Sequence, residues 1–146
     1  KAIATASVAT SAYEGFKYGY LEHDRDQVEI NLSNVLSRAK DKVLELAKHY
    51  TAPLPKNVTV LGRGGLGTLY TALNEFYLGK YMSEYDLEIA KKVAYVLCGG
   101  DLTGQQKVSE QYLLDIEREA FLQLLGNQKT IDRIQYMLMN NKPLRN

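Results

Sequence analysis

Six residues decide between two kinds of fold for this chain. Gly62-Arg63-Gly64-Gly65-Leu66-Gly67 spells G-x-G-x-x-G, directly after the apolar run Val58-Thr59-Val60-Leu61 and directly before a helix-like segment. Taken literally this is strand, glycine turn and helix, the fingerprint of a dinucleotide site. Such a site needs a parallel sheet, a second strand after the helix, and an acidic residue about 20 positions on for the ribose. Downstream stands Lys80-Tyr81-Met82-Ser83-Glu84-Tyr85-Asp86, a turn and a helix cap, and no further β-rich run follows. Asp86 has nearly the right spacing but falls in the first turn of a helix. The context therefore argues against a dinucleotide.

Two readings of the glycines remain. Free N–H groups of Gly64, Gly65 and Leu66 at a helix start, with Arg63 beside them, suit a phosphate or carboxylate. Alternatively, the glycines let the chain turn and let the helix pack closely on a neighbour. The second is favoured, and anion binding at Arg63, Gly64 and Gly65 is the functional claim that survives.

The rest of the chain reads as helices. Residues 1–10 are small and mildly apolar and suit strand or helix. Ser11-Ala12-Tyr13-Glu14 has capping-box spacing, and the short helix it opens should stop at Gly19. Residues 21–30 read as a loop containing His23, Asp24, Arg25 and Asp26. From Asn31, an N-cap, a helix is expected to about Tyr50. Leu32, Val35, Leu36, Ala39, Val43, Leu46, Ala47 and Tyr50 form its apolar stripe. Pro53 and Pro55 end it and mark the best internal boundary.

Beyond the glycine turn, Leu66, Leu69, Tyr70, Leu73, Phe76 and Tyr77 make a second stripe, stopped by Gly79. Ser83-x-x-Asp86 caps a helix with Leu87, Ala90, Val93, Ala94 and Leu97, ending at Gly99-Gly100. A further helix over 108–125 should turn Tyr112, Leu113, Ile116, Ala120 and Leu124 inward before Gly126. The last, over 130–140, presents Ile131, Ile134, Met137 and Leu138 before Pro143. The expected fold is mainly α: about six helices in a compact bundle-like arrangement, with no substantial sheet. Its two parts are 1–52 and 53–146.

Composition excludes several classes. With 146 residues, 45% of them apolar and 24% charged, the chain can bury a core. Eighteen basic and seventeen acidic residues leave a net charge of +1, and no charge block suggests a nucleic-acid surface. No apolar run approaches the roughly 20 residues of a membrane span. Cys98 is the only cysteine, so an internal disulfide is impossible and a reducing, cytoplasmic location is expected. The chain opens without Met and in mid-pattern, as a piece of a longer protein would.

Other candidate groups point to structure. Asp115, Glu117 and Glu119 alternate along a helix and cannot converge on one atom, and Asp115 and Arg118 suit a surface ion pair. His23 and His49 have no partner at metal spacing. Cys98 fits a small buried thiol. The eleven tyrosines, among them Tyr13, Tyr18, Tyr20, Tyr77, Tyr81 and Tyr85, suit either a domain interface or a core built without Trp.

The C-terminal half also carries a resemblance. Val96-Leu97-Cys98-Gly99-Gly100-Asp101-Leu102 and the run 108–122 (VSEQYLLDIEREAFL) resemble the end of the bacterial multifunctional fatty-acid β-oxidation proteins. These combine a 3-hydroxyacyl-CoA dehydrogenase with a crotonase-type enoyl-CoA hydratase. Lys129-Thr130, Arg133-Ile134, Met137-Leu138 and Lys142-Pro143-Leu144-Arg145-Asn146 are similar too. So are Ala9-Thr10-Ser11-Ala12 with Gly19-Tyr20-Leu21, residues 31–50, Leu61-Gly62-Arg63 and Ser83-Glu84-Tyr85-Asp86.

The resemblance implies that 1–52 is the helical tail of a crotonase domain and 53–146 a helical extension. It places the NAD site, the catalytic His–Glu pair and the hydratase glutamates ahead of Lys1. No catalytic, cofactor-binding or metal residue carries over to this chain. The parent would use NAD and acyl-CoA, and the chain itself would pack on the parent's catalytic domains or form a homo-oligomer. The competing expectation is a self-standing helical interaction module with no enzymatic parent.

Overall fold

Side-chain oxygens open most of the helices. In the computed structural model, which describes residues 8–146, six α-helices and one two-stranded sheet are formed among the described residues. The strand-or-helix alternative for 1–10 falls largely outside them. Contacts divide the chain into two units, 1–54 and 55–146.

In the first unit, α1 (Ala12–Lys17) is capped by Ser11, whose Oγ accepts from the Glu14 N–H at 3.2 Å. The Glu14 carboxylate reaches back one residue beyond the expected box, to the N–H and hydroxyl of Thr10, both at 2.7 Å. Helix α1 ends as expected around Gly19, which adopts φ +76° while Tyr20 N–H donates to Gly15 O. Asn31 caps a 3-10 turn (Leu32–Asn34) that runs into α2 (Val35–Ala47). Helix α2 is shorter than expected, ending three residues before Tyr50. Its apolar stripe, from Leu32 to Tyr50, lies exposed.

The second unit begins with β1 (Asn57–Val60), which pairs antiparallel with β2 (Gln106–Ser109) so that Val58 faces Val108 and Val60 faces Gln106. Strand β2 is a departure from expectation, since its last two residues fall in the helix expected over 108–125. Ser109 instead ends the strand and caps α5 (Glu110–Leu125), accepting from Tyr112 N–H. Between the strands lie α3 (Gly62–Leu78) and α4 (Glu84–Leu97). Ser83 and Asp86 complete the capping box read from the sequence.

Helix α3 ends at Leu78 with Gly79 as its C-cap, as expected. Gly79 stays in the right-handed region at φ −70°, and Lys80 takes the left-handed position at φ +59°. Helix α6 (Gln128–Asn140) starts two residues earlier than expected because Asn127 caps it.

Helix α4 is central: it packs against α3 on one side and α5 on the other, and α6 packs on α5. Val60, Tyr85, Leu87, Ala90, Ala94, Cys98, Ile116, Ala120 and Thr130 are buried. Alanines at 90, 94 and 120 keep the helices close. The expected inward residues of α5 are buried or half-buried, whereas Leu97 on α4 and Met137 and Leu138 on α6 are exposed.

The tail after α6 is held down by one arginine. Arg133 donates to Asp86 Oδ1 at 2.8 Å, to Asn146 Oδ1 at 2.7 Å and to Asn146 O at 3.1 Å, and its guanidinium lies over the Tyr85 ring. Ser83 Oγ donates to the same Asn146 carbonyl at 3.3 Å. Burial opposes charge on Asp86, but the Arg133 and Ser83 donors outweigh it and hold the carboxyl below its ordinary range.

Candidate functional site

The glycine turn is assembled from two sides. β1 buries Val60 and delivers the chain to Gly62, which adopts φ +63° at the first position of α3. From the other side, α4 ends on Gly99 and Gly100, both at positive φ, and the loop 101–104 runs across the start of α3. A Cβ on Gly62 would stand 2.6 Å from Gly104 O and 2.7 Å from Leu102 O, so no other residue fits there.

That loop supplies acceptors to α3. Gly62 N–H donates to Cys98 O at 2.9 Å and Arg63 N–H to Leu102 O at 2.8 Å. Two donors normally left free at a helix start are therefore satisfied by the chain itself. The Arg63 guanidinium grips Asp101 through two bonds, Nε to Oδ1 and Nη2 to Oδ2, both at 2.7 Å. This pairing holds the Asp101 carboxyl below its ordinary range and raises Arg63.

The structure thus places Arg63, Gly64 and Gly65 together in one helical turn, with a carboxylate already beside them. Gly64 and Gly67 would meet nothing within 4 Å if given a Cβ. The backbone approach that a dinucleotide motif requires of its glycines is found here at Gly62 only. The expected close helix packing is likewise absent at Gly64 and Gly67. The strand before the turn belongs to an antiparallel pair.

The remaining candidates are dispersed. Asp115 pairs with Arg118 at 3.5 Å and accepts from Gln111, while Glu119 accepts from Gln123. His23 stacks on Phe16, with ring centroids 4.0 Å apart. His49 is exposed on the segment after α2. Cys98 is buried and burial pushes its thiol up, away from the reactive thiolate. Of the tyrosines, Tyr85 is fully packed and shares a hydrogen bond with Thr130, whereas Tyr13 and Tyr81 are exposed.

A second place went unnoticed in the sequence. A groove of about 430 Å³ opens where α3, α4 and α5 meet, lined by Tyr70, Glu88, Lys91, Lys92, Tyr95, Glu119 and Gln123 with Ala120 at its base. Glu88, Lys91, Lys92 and Tyr95 are spaced i, i+3, i+4 and i+7, which puts them on one face of α4. That spacing was the available signal. It was hidden because the apolar stripe on the other face of α4 dominates the pattern.

Fold and site together define a mainly α-helical protein whose glycine turn is closed by its own loop and its own carboxylate. No family model matches the chain, and no solved structure matches it. Over 145 residues, 99% of the chain, it is 41% identical to a probable 3-hydroxyacyl-CoA dehydrogenase of Bacillus subtilis (strain 168). The match spans 18% of that protein's length. No helix among the described residues is long and apolar enough to cross a membrane.

Proposed function

We propose that this chain is a helical, non-catalytic part of a longer protein of the 3-hydroxyacyl-CoA dehydrogenase type. The observation that carries the reading is the 41% identity along 99% of this chain to only 18% of a much longer dehydrogenase relative. The parent would oxidise 3-hydroxyacyl-CoA with NAD and, as the motif resemblance implies, hydrate enoyl-CoA in a crotonase part, in fatty-acid β-oxidation in the cytoplasm. The chain's partners would be the parent's catalytic domains, or further copies of the parent. The exposed stripe of α2 suits such packing, since an amphipathic helix of this length draws most of its stability from a covering surface.

On this reading the anion expected beside Arg63, Gly64 and Gly65 is replaced, at the Arg63 side chain, by the chain's own Asp101 carboxylate. The bidentate grip supports that role, because an external anion would have to displace it.

The test is the coding frame upstream of Lys1. A long open frame with a dinucleotide fingerprint supports the parent, and a start codon immediately before Lys1 sinks it in favour of a self-standing interaction module. Enzyme assays supply the second arm. The purified chain should turn over neither crotonyl-CoA nor a 3-hydroxyacyl-CoA, and turnover of either would overturn its non-catalytic role.

A further inference from the structure

The groove between α3, α4 and α5 presents both signs of charge and two aromatic rings within about 430 Å³, a size suited to a small ligand. Its charges are not spent on each other. Glu88 stands three and four residues before Lys91 and Lys92, the spacing at which helical ion pairs form. Among the described residues, however, it pairs with neither. The Lys91 ammonium rests over the Tyr70 ring, 5.9 Å from its centroid, and Lys92 donates to the side-chain oxygen of Gln123. Glu119 accepts from the amide of the same Gln123 at 3.2 Å. Two ammonium groups therefore face the groove with neutral partners, and two carboxylates flank them.

The balance of signs restricts the ligand. A bare anion gains little in a site whose formal charge sums to zero, because Glu88 and Glu119 oppose the field of the lysines. A ligand that brings a negative group for Lys91 and Lys92, and an uncharged N–H donor for a carboxylate, satisfies both kinds of group, the second by a hydrogen bond to a charged acceptor. Tyr70 and Tyr95 add flat walls, which favour a planar ring between the two polar ends. A phosphorylated adenosine has all three parts: the phosphate, the planar base and the exocyclic amine. We propose that this groove receives the phosphorylated adenosine end of a coenzyme A thioester. Lys91 and Lys92 hold the phosphate, Tyr70 and Tyr95 flank the base, and Glu88 or Glu119 accepts from its amine. On binding, the base takes the place of the Lys91 ammonium over Tyr70, and that ammonium turns to the phosphate.

The choice of coenzyme A over a free nucleotide rests on the function proposed above; the adenosine phosphate chemistry rests on the groove alone. Isothermal titration calorimetry of the whole 146-residue chain tests both. Adenosine 3′,5′-bisphosphate and coenzyme A should each bind saturably at one site, and inorganic phosphate should bind at least about tenfold more weakly. Lys91→Glu with Lys92→Glu should weaken the bisphosphate at least about tenfold, and so should the milder Lys91→Gln with Lys92→Gln, whose side chains keep the helix intact. Lys107→Glu, on the exposed strand β2, should change nothing.

Absence of saturable binding overturns the site, as does unaltered binding in both double variants or inorganic phosphate binding as tightly as the bisphosphate. ADP binding more tightly than the bisphosphate and coenzyme A together overturns the coenzyme A assignment. Failure in any arm leaves the parentage standing, since that is decided by the upstream frame.

Discussion

Of the residues in left-handed backbone in the second unit, Gly62 and Lys80 sit there for opposite reasons. At Gly62 the conformation is matched to the residue, because φ is +63° and the position of a Cβ is taken by the carbonyls of Leu102 and Gly104. Gly62→Ala should therefore cost more than ~2 kcal/mol, combining backbone strain with displacement of the loop that closes α3. Thermal unfolding of the variant checks this, and a midpoint within a degree of the parent's would refute the closed-turn reading. At Lys80 the match is poor. A side chain occupies φ +59° while the preceding Gly79 stays right-handed, where a Cβ would come within 2.7 Å of the Tyr81 ring. Glycine is easier than lysine in this conformation, and Lys80→Gly should stabilise by ~0.5 kcal/mol after the added freedom of the unfolded chain is subtracted. Chemical denaturation should show a higher midpoint with an unchanged slope.

Among the elements, the clearest energetic link is between the start of α4, the body of α6 and the tail. Arg133 joins all three through Asp86 and Asn146, and both side chains of the ion pair are only 18% exposed. Arg133→Ala leaves the Asp86 carboxylate half-buried without its cation and should cost about 2–3 kcal/mol, somewhat less than for a fully buried pair. The pH dependence has a definite sign. The Asp86 carboxyl is depressed below its ordinary 3.8 in the folded chain. Its contribution is thus complete above that value and is lost as pH falls below it, through the folded value. Urea midpoints should fall for the native chain below about pH 4, and Asp86→Asn should flatten that decline. A decline of the same size in Asp86→Asn would assign the acid sensitivity elsewhere.

Local sequence signals end where long-range linkages of this kind begin. The starts at Ser11 and Ser83 and the turn opened by Asn31 were legible because a Ser or Asn cap is a local signal. The caps Ser109 and Asn127 were not, and α5 and α6 each begin two residues away from the expected start. Inward faces were legible in α5, where Ile116 and Ala120 keep one spacing. Strand β2 was not, because Gln106-Lys107-Val108-Ser109 has one apolar residue and is extended only through its pairing with β1, 46 to 52 residues away in register. The turn at Gly62 was legible as a turn, but its partner Asp101 was not, since a contact 38 residues apart leaves no local trace. The same holds for the groove, whose walls come from three helices.

At the scale of the whole chain the informative contrast is between the two units. Residues 55–146 contain every buried large side chain among the described residues, while α2 in the first unit buries none. Helix α2 is nevertheless strongly amphipathic: Leu36, Ala39, Val43 and Leu46 lie along one side, with Leu36 82% and Val43 63% exposed. An isolated helix of 13 residues gains little from propensity alone, so a stripe of this kind is stable chiefly through what it packs on. The proposed parent supplies such a surface. Two measurements separate this from a stripe that is simply tolerated in water. In the 146-residue chain, Leu36→Asp with Val43→Asp should shift thermal unfolding by no more than ~0.5 kcal/mol, as for exposed positions generally. In the full-length protein the same pair should lower the unfolding midpoint by several degrees, because two carboxylates would be forced against an apolar partner. An equal, small effect in both settings would show that the stripe stays uncovered in the parent and would leave α2 without a packing role. A large loss in the short chain would instead show that α2 is already covered, either by a second copy or within the chain itself. Sedimentation at several concentrations then tells those two apart, because only self-association depends on concentration.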